Sequence, residues 1–173
     1  MAAGATLFSL FAQDAIPPAT LGAVLDTILG TSTPAELIPV LNFDDTTVEY
    51  VDFLCQMPRN YGAGGVTLKI TWAGAANTNE VVWSAAFRRI PDDAEDLDTT
   101  AFTYDYNNSA ASTAPSAIGE TSEDTIAFTE GADMDSVAAG ENFILRVRRF
   151  ASDAGDDMAG DARLLSIEVR ETP

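Results

Sequence analysis

The sequence predicts an all-β protein, an antiparallel β-sandwich with jelly-roll-like topology and an extended N-terminal arm. The clearest observation is period-two alternation of apolar and polar residues in 66–72 and 81–88. Side chains of a strand point alternately to opposite faces, so this alternation is typical of half-buried strands. Similar runs recur between turn-forming residues, and no long stretch has a convincing helical pattern. Short strands at such spacing favour two packed sheets.

Residues 1–40 differ from the rest of the chain and are predicted to form the arm. They are apolar, carry few charges, and contain four prolines that interrupt any long regular element: Pro17, Pro18, Pro34 and Pro39. The spacing of apolar residues in 20–30 also fits a short helix, whereas its β-prone residues favour a short strand. We favour the strand and leave the helix open. An apolar arm without its own core has to lie on its own sandwich or on a neighbouring subunit.

Residues 41–173 form the predicted sandwich domain. At least seven runs alternate in the way that strands do: 51–57, 66–72, 81–88, 102–106, 125–129, 143–148 and 165–170. The acidic stretch 92–98 and the polar stretch 107–119 are predicted loops. Exposed sheet edges promote aggregation, and symmetric assembly is one way to cover them.

The charge balance excludes several classes of partner. The 173 residues contain 9 Lys and Arg against 27 Asp and Glu, for a formal net charge of −18. A field of this sign repels phosphate backbones and anionic lipid, so we predict neither a nucleic-acid partner nor a membrane partner. No basic segment precedes an apolar run, and no run approaches the ~20 apolar residues of a spanning helix, so no secretion or membrane segment is predicted.

The residues needed for most catalytic systems are missing from the sequence. There is no histidine, which removes Ser-His and Cys-His nucleophiles and most zinc sites. Cys55 is the single cysteine and lies in an apolar alternating run, where a free cysteine is a small core residue. We predict that the chain is not an enzyme. The alternative is a carboxylate-only hydrolase, which requires two carboxylates ~5–9 Å apart.

A calcium site is the alternative to an ordinary loop in the acidic segment near the C-terminus. Four carboxylates there offer hard oxygen ligands: Asp153, Asp156, Asp157 and Asp161. The spacing of an EF-hand is absent, and turn-forming Asp residues are common in solvated loops. We therefore favour the solvated loop and predict no cofactor, with Ca²⁺ as the alternative.

The basic residues concentrate on two predicted strands. Arg146 and Arg148 share one strand face, and Arg88, Arg89 and Arg149 lie in the same two runs. This concentration is either a contact patch for an acidic partner or a sugar, or a set of ion pairs with the surplus of Asp and Glu. We favour the ion pairs, and bidentate pairs at a subunit boundary fit the same residues.

The aromatic residues divide into core and surface candidates. Trp72 and Trp83 are in phase with neighbouring aliphatic residues, which predicts that both are buried. Tyr104 and Tyr106, followed by the polar loop 107–119, are the better candidates for a surface that binds a sugar or a receptor.

Five ordered segments carry a family resemblance across residues 20–171. They are PVLNFDDTTVEYVDF, MPRNYGAGGVTLKITW, VVWSAAFRRI, AGENFILRVRR and MAGDARLLSIEVRE. In this order they resemble small virion structural proteins of tailed bacteriophages and marine viral sequences. The resemblance implies a jelly-roll-like sandwich that assembles on the phage particle, commonly as a trimer. It supplies no catalytic or ligand residues.

Together these observations predict a capsid decoration, or cement, protein on the outer surface of a phage head. Its expected partners are two further copies in a homotrimer and the major capsid protein. The expected interface residues are Phe8, Phe11, Leu21, Leu25, Arg146 and Arg148. The alternative function is a receptor-binding or carbohydrate-binding module of a tail fibre or head fibre.

Overall fold

A computed structural model of the chain describes residues 4–172 and confirms the predicted antiparallel β-sandwich. Its strands are β1 (Thr6–Phe11), β2 (Val24–Leu29), β3 (Leu37–Phe43), β4 (Tyr50–Gln56), β5 (Val66–Gly74), β6 (Glu80–Val81), β7 (Trp83–Ile90), β8 (Asn107–Asn108), β9 (Ser112–Thr113), β10 (Thr121–Phe128), β11 (Asn142–Arg149) and β12 (Ala162–Glu171). Helical structure in the described residues is limited to two 3-10 turns, Ala12–Asp14 and Ala132–Met134. None of the described helical segments is long and apolar enough to span a bilayer.

The larger sheet has six strands, in the order β10-β5-β12-β3-β2 with β1 also paired to β12. One side of β12 pairs along its length with β5. The other side is shared, because β3 pairs with Ala162–Leu164 and β1 pairs with the residues that follow. Only the C-terminal residues of β3, 41–43, pair with β12. The β2–β3 hairpin therefore forms one end of the sheet.

The smaller sheet has four strands in the order β4-β11-β7-β8, and β6 and β9 form a separate two-residue pair. Its central strand β11 alternates as the sequence predicts. Leu145 and Val147 are buried, whereas Arg146 and Arg148 are half-buried on the opposite, outer face. Period-two alternation therefore separates the core face of this sheet from the face that carries the arginines.

The core lies between the two sheets and is rich in aromatic contacts. Trp72 of the larger sheet meets Trp83 of the smaller sheet with ring centroids 6.2 Å apart, and Phe43 lies edge-on to Trp83 at 5.2 Å. Both tryptophans are fully buried, which confirms their predicted place in the core. Cys55 is also buried, and burial, with a smaller contribution from Asp14, raises the pKa of its thiol to about 12. The thiol is therefore protonated at neutral pH.

The N-terminal segment contributes strands to this sandwich. After β1, the chain crosses to the edge of the smaller sheet, where Ile16 and Asp52 exchange backbone hydrogen bonds of 2.8 and 3.1 Å. It then returns to the larger sheet as β2. The segment 20–30, for which the sequence left strand and helix open, contains the strand Val24–Leu29.

One predicted strand is wrong. Residues 102–106 alternate in sequence, but they form no strand in the structure, and pairing begins only at β8. Their alternation instead places three aromatic rings on the arginine side chains of the smaller sheet. Alternation indicates an extended segment with one buried side. In residues 102–106 that side packs on arginine side chains, and the segment pairs with no neighbouring strand. The predicted loop 107–119 also contains the two short strands β8 and β9.

Candidate functional site

The outer face of the smaller sheet carries a layer of interleaved aromatic and arginine side chains, here called the aromatic–arginine layer. Its members come from β4, β7, β11, the residue directly after β11, and the extended segment 102–106: Tyr50, Arg88, Phe102, Tyr104, Tyr106, Arg146, Arg148 and Phe150. The segment runs over the sheet before it enters β8, which pairs with β7. The layer therefore assembles from residues distant in sequence.

The arginines and rings match one to one along the segment. The guanidinium carbon of Arg146 lies 4.1 Å from the ring centroid of Tyr104, and that of Arg148 lies 3.9 Å from the centroid of Tyr106. Arg88 lies 5.2 Å from the ring of Phe102. Each distance is within the ~6 Å range of a cation–π contact. These three contacts explain why the segment is extended and why every second residue is aromatic.

Arg146 is held by a carboxylate of the neighbouring strand. Its Nε and Nη2 atoms each donate to one carboxylate oxygen of Asp52, both at 2.6 Å. This bidentate pair is partly shielded from water, and the hydrogen bonds that Arg146 donates to Asp52 raise the pKa of Arg146 further. The pair confirms the interpretation of this arginine as an ion-pair residue. It also fixes the plane of the guanidinium on which Tyr104 rests.

Arg148 differs, because no carboxylate of the described residues lies within ion-pair distance of it. Its guanidinium lies between the rings of Tyr106 and Phe150, 3.9 and 4.2 Å from their centroids. Its Nε is buried and has no hydrogen-bond partner in the described part of the chain. It is therefore the one arginine of the layer whose charge no described carboxylate neutralises, since Arg88 pairs with Glu95 and Arg146 pairs with Asp52.

The two tyrosines of the segment are half-buried. Burial raises the pKa of Tyr104, and it raises the pKa of Tyr106 to about 12 although two arginines oppose the shift. Both hydroxyls are therefore protonated at neutral pH and able to donate hydrogen bonds. The structure thus places the predicted sugar-binding tyrosines beside the predicted arginine patch, with part of each residue open to solvent.

Exposed apolar side chains concentrate in residues 11–38, on both faces of the β2–β3 hairpin and in the segment before it. Eight large apolar side chains there, here called the exposed apolar set, are each at least 42% exposed: Phe11, Ile16, Leu21, Val24, Leu25, Leu29, Leu37 and Ile38. Three of the predicted interface residues belong to this set, namely Phe11, Leu21 and Leu25. Phe8 does not, because it is half-buried and packs on Phe143 at a centroid distance of 6.3 Å.

The four carboxylates of the calcium alternative have different partners. Asp156 is buried in an ion pair with Arg149, with Oδ1 and Nη2 2.7 Å apart. Asp153 accepts a hydrogen bond from the backbone N–H of Gly155 in its own turn. Asp157 accepts one from the backbone N–H of Glu80 in β6. Burial, with Asp44 nearby, raises the pKa of Asp161. Among residues 4–172, no group of three or more potential ligands is arranged to hold a metal ion.

The buried carboxylates of the described residues each have a structural partner. Besides Asp156, these are Asp124, which accepts the indole N–H of Trp72 at 2.6 Å, and Glu171, which accepts the N–H of Gly62 at 2.6 Å. Burial raises the pKa of Asp124. These bonds tie strands and turns together.

Sequence reasoning missed two members of the layer, Tyr50 and Phe150. It also missed Asp52, the partner of Arg146. Phe150 follows β11 directly, and its pairing with Arg148 has no periodic pattern. Asp52 lies 94 residues from Arg146, and their contact depends on the register of β4 with β11. One sequence feature could have indicated that Asp52 lies on the outer face. It is a polar residue flanked by Val51 and Phe53, which both belong to the core.

Comparisons with known proteins bear on the fold. The sequence matches no protein-family model and no curated protein. The structure is similar to the CBM22-1 xylan-binding domain of Xyn10C from Paenibacillus barcinonensis, with a TM-score of 0.50 and 10% identity, covering 97% of this chain and 95% of that one. A second similar structure is the mannan-recognising carbohydrate-binding module TmCBM27, with a TM-score of 0.48, 11% identity, and coverage of 99% and 100%. At this identity the first similarity establishes a shared β-sandwich fold.

Proposed function

We propose that this chain is a non-catalytic binding module that takes a carbohydrate on the aromatic–arginine layer. The observation that carries the proposal is Arg148, a half-buried cation held between two rings with no acidic partner among the described residues. Sugars present apolar ring faces and many hydroxyl oxygens. A surface with aromatic rings and fixed hydrogen-bond donors suits both.

The layer is preorganised for such a ligand. Asp52 fixes Arg146, Arg146 supports Tyr104, and Arg148 supports Tyr106. A binding surface whose side chains are already ordered loses less conformational entropy when the ligand arrives. The similarity in fold to a xylan-binding domain supports the same proposal, since that domain is a β-sandwich that binds a polysaccharide. The net charge of −18 favours a neutral polysaccharide over an acidic one.

A glycan array with the purified chain tests the proposal, followed by calorimetric titration with soluble xylan and mannan oligosaccharides. We expect binding to neutral oligosaccharides. Tyr106→Ala should weaken it by about tenfold or more, because the ring and its hydroxyl are lost together. Thr103→Ala is the matched control, since Thr103 belongs to the same segment, is exposed, and alternates with the stacked rings.

Two results would contradict carbohydrate binding at this surface. One is the absence of binding both on the array and in titrations with millimolar oligosaccharide. The other is binding that Tyr106→Ala and Thr103→Ala change equally. Circular dichroism of each variant separates a lost ligand contact from a lost fold.

A second candidate function is the virion role that the resemblance implies. We propose, as this alternative, a decoration protein on the outer phage head that contacts the major capsid protein and assembles as a homotrimer. The exposed apolar set favours it, because apolar surface of this extent is typical of proteins that assemble. The large negative charge suits an outer surface better than the DNA-facing interior of a head.

Immunogold labelling of phage particles purified from a culture that produces this chain tests this alternative. Regular labelling of intact heads would support it. Label on tail fibres, or protein found outside particles, would contradict a decoration role.

A further inference from the structure

Arg148 differs from every other arginine of the smaller sheet. Strands β7 and β11 carry five arginines, and the other four each pair with a carboxylate: Arg88 with Glu95, Arg89 with Glu141, Arg146 with Asp52 and Arg149 with Asp156. Every hydrogen bond that an arginine side chain donates within residues 4–172 comes from one of these four. The charge and the donors of Arg148 are therefore left free by the described part of the chain.

The guanidinium of Arg148 is held in place although it has no acceptor. The rings of Tyr106 and Phe150 contact it at 3.9 and 4.2 Å, and such rings stabilise a cation but accept no conventional hydrogen bond. Its Nε is buried without a partner, whereas its two terminal nitrogens are neither hydrogen-bonded nor fully buried. A guanidinium has five donors and no acceptor. The outer face of the sheet therefore presents an oriented cation whose terminal N–H groups a ligand can reach.

A carboxylate is the group that matches this cation in both charge and shape. The planar fork of a guanidinium binds two carboxylate oxygens at once, as Arg146 does on the same strand with two bonds of 2.6 Å to Asp52. A sugar hydroxyl accepts one such bond and leaves the charge of Arg148 in place. Leaving a charge partly buried and unpaired costs free energy, which a carboxylate ligand offsets. Among sugars, the units that carry a carboxylate are the uronates.

The net charge of −18 limits how many carboxylates the ligand carries. Repulsion from the whole chain acts on every charge of a polyanion, whereas the layer has one arginine without an acidic partner. Asp105 adds to this repulsion, because it is exposed and alternates with the two tyrosines. At physiological ionic strength charges more than about 8 Å apart are largely screened, so a single carboxylate in contact with Arg148 gains more than it loses. The layer therefore suits a neutral polysaccharide in which acidic units are isolated.

We infer that the polysaccharide bound by the aromatic–arginine layer has a neutral backbone with isolated uronate units, and that Arg148 binds the carboxylate of one of them. The terminal N–H groups of Arg148 donate to the carboxylate oxygens, and the neutral units lie against the neighbouring tyrosines. This inference rests on the proposed carbohydrate binding and specifies its substrate class. It adds a preference for an acidic substituent, which aromatic rings alone do not provide.

Calorimetric titration of the full chain with two oligosaccharides tests the inference. One is a xylo-oligosaccharide with a single glucuronate side group, and the other is the same molecule with that carboxylate reduced to an alcohol. We expect the acidic form to bind about tenfold more tightly.

Three variants locate the source of this preference. Arg148→Gln should reduce it to within about twofold, because the charge is lost, whereas Arg148→Lys should retain part of it. Arg59→Gln is the matched control, since it removes the same unit of charge from an exposed residue beyond the end of β4 opposite to Tyr50. It should leave the preference unchanged.

The outcomes separate this inference from the proposed function. Equal affinity of the parent chain for the two oligosaccharides would overturn the inference and leave carbohydrate binding intact, whereas binding of neither would contradict both. A preference that Arg148→Gln and Arg59→Gln reduce equally would show that net charge, not a contact with Arg148, is its cause. Free glucuronate that binds as tightly as the whole oligosaccharide would indicate a simple anion site and would also overturn the inference. Circular dichroism shows whether each variant is folded, and the comparison of the two ligands on the parent chain needs no variant.

Discussion

The outer face of the smaller sheet and the row of Leu25, Leu29 and Leu37 on the β2–β3 hairpin are both side-chain rows on extended strands, yet only the first is covered. The arginines of β7 and β11 are overlaid by the segment 102–106, which supplies a ring for each of Arg88, Arg146 and Arg148. The leucines of the hairpin have no such cover from the described chain. The chain therefore shields a charged row that water would solvate and leaves an apolar row exposed.

This difference is the reverse of what stability of a lone chain favours. Burying apolar side chains is favourable by about 25 cal/mol per Å² of apolar area, whereas partly burying arginines costs desolvation that partners have to offset. A chain that covers its arginines with ordered rings, and not its leucines, has surfaces suited to contacts outside itself. The first surface has the fixed polar groups that the proposed carbohydrate binding requires, and the second has exposed apolar area.

The largest expected effect contrasts two leucines on the same face of β3. Leu41→Ala should lower the free energy of unfolding by about 3 kcal/mol, because it opens a cavity beside Phe43 in the core. Leu37→Ala should change it by less than about 0.5 kcal/mol in dilute solution, because Leu37 is mostly exposed. Urea unfolding at low protein concentration measures both. A cost for Leu37→Ala that approaches that of Leu41→Ala would mean that the hairpin is covered in the monomer.

A smaller effect separates the covered arginines from ordinary surface arginines. Arg146→Ala should cost about 2 kcal/mol, because it leaves the half-buried carboxylate of Asp52 without its bidentate partner and Tyr104 without its support. Arg59→Ala is the control, since Arg59 is exposed and makes no ion pair with another described residue. It should cost less than about 1 kcal/mol. Equal costs in urea unfolding would indicate that the aromatic–arginine layer adds no stability.

Sequence reasoning predicted the sandwich because burial on one side of a strand repeats every two residues. The runs that became β5 and β11 alternate in the sequence as they do in the structure. The same reasoning failed for residues 102–106. An extended segment that packs on side chains repeats with the same period as a strand, and alternation does not report hydrogen bonding.

The candidate site was only partly predictable for a different reason. The residue types were visible, since Tyr104, Tyr106, Arg146 and Arg148 were all singled out from the sequence. Their convergence was not, because it requires the register of β4 with β11 and the path of a segment that forms no ladder. Contacts between residues separated by many tens of positions depend on tertiary structure, which local periodicity does not encode.

The smallest effect concerns the pH dependence of the covered face. Burial raises the pKa of Tyr106 to about 12, above its ordinary value of 10.0, so the folded chain holds this proton more tightly than the unfolded chain does. The resulting stability is intact below pH 10 and is lost as the pH rises toward 12. Because the ring is only half-buried, solvent screening reduces the expected loss to about 1 kcal/mol. Tyr106→Phe keeps the ring on Arg148 but has no hydroxyl to ionise, so its free energy of unfolding should fall less than that of the parent between pH 9 and pH 12. Urea unfolding across this range measures the difference, and two parallel curves would show that the hydroxyl of Tyr106 is not protected by the layer.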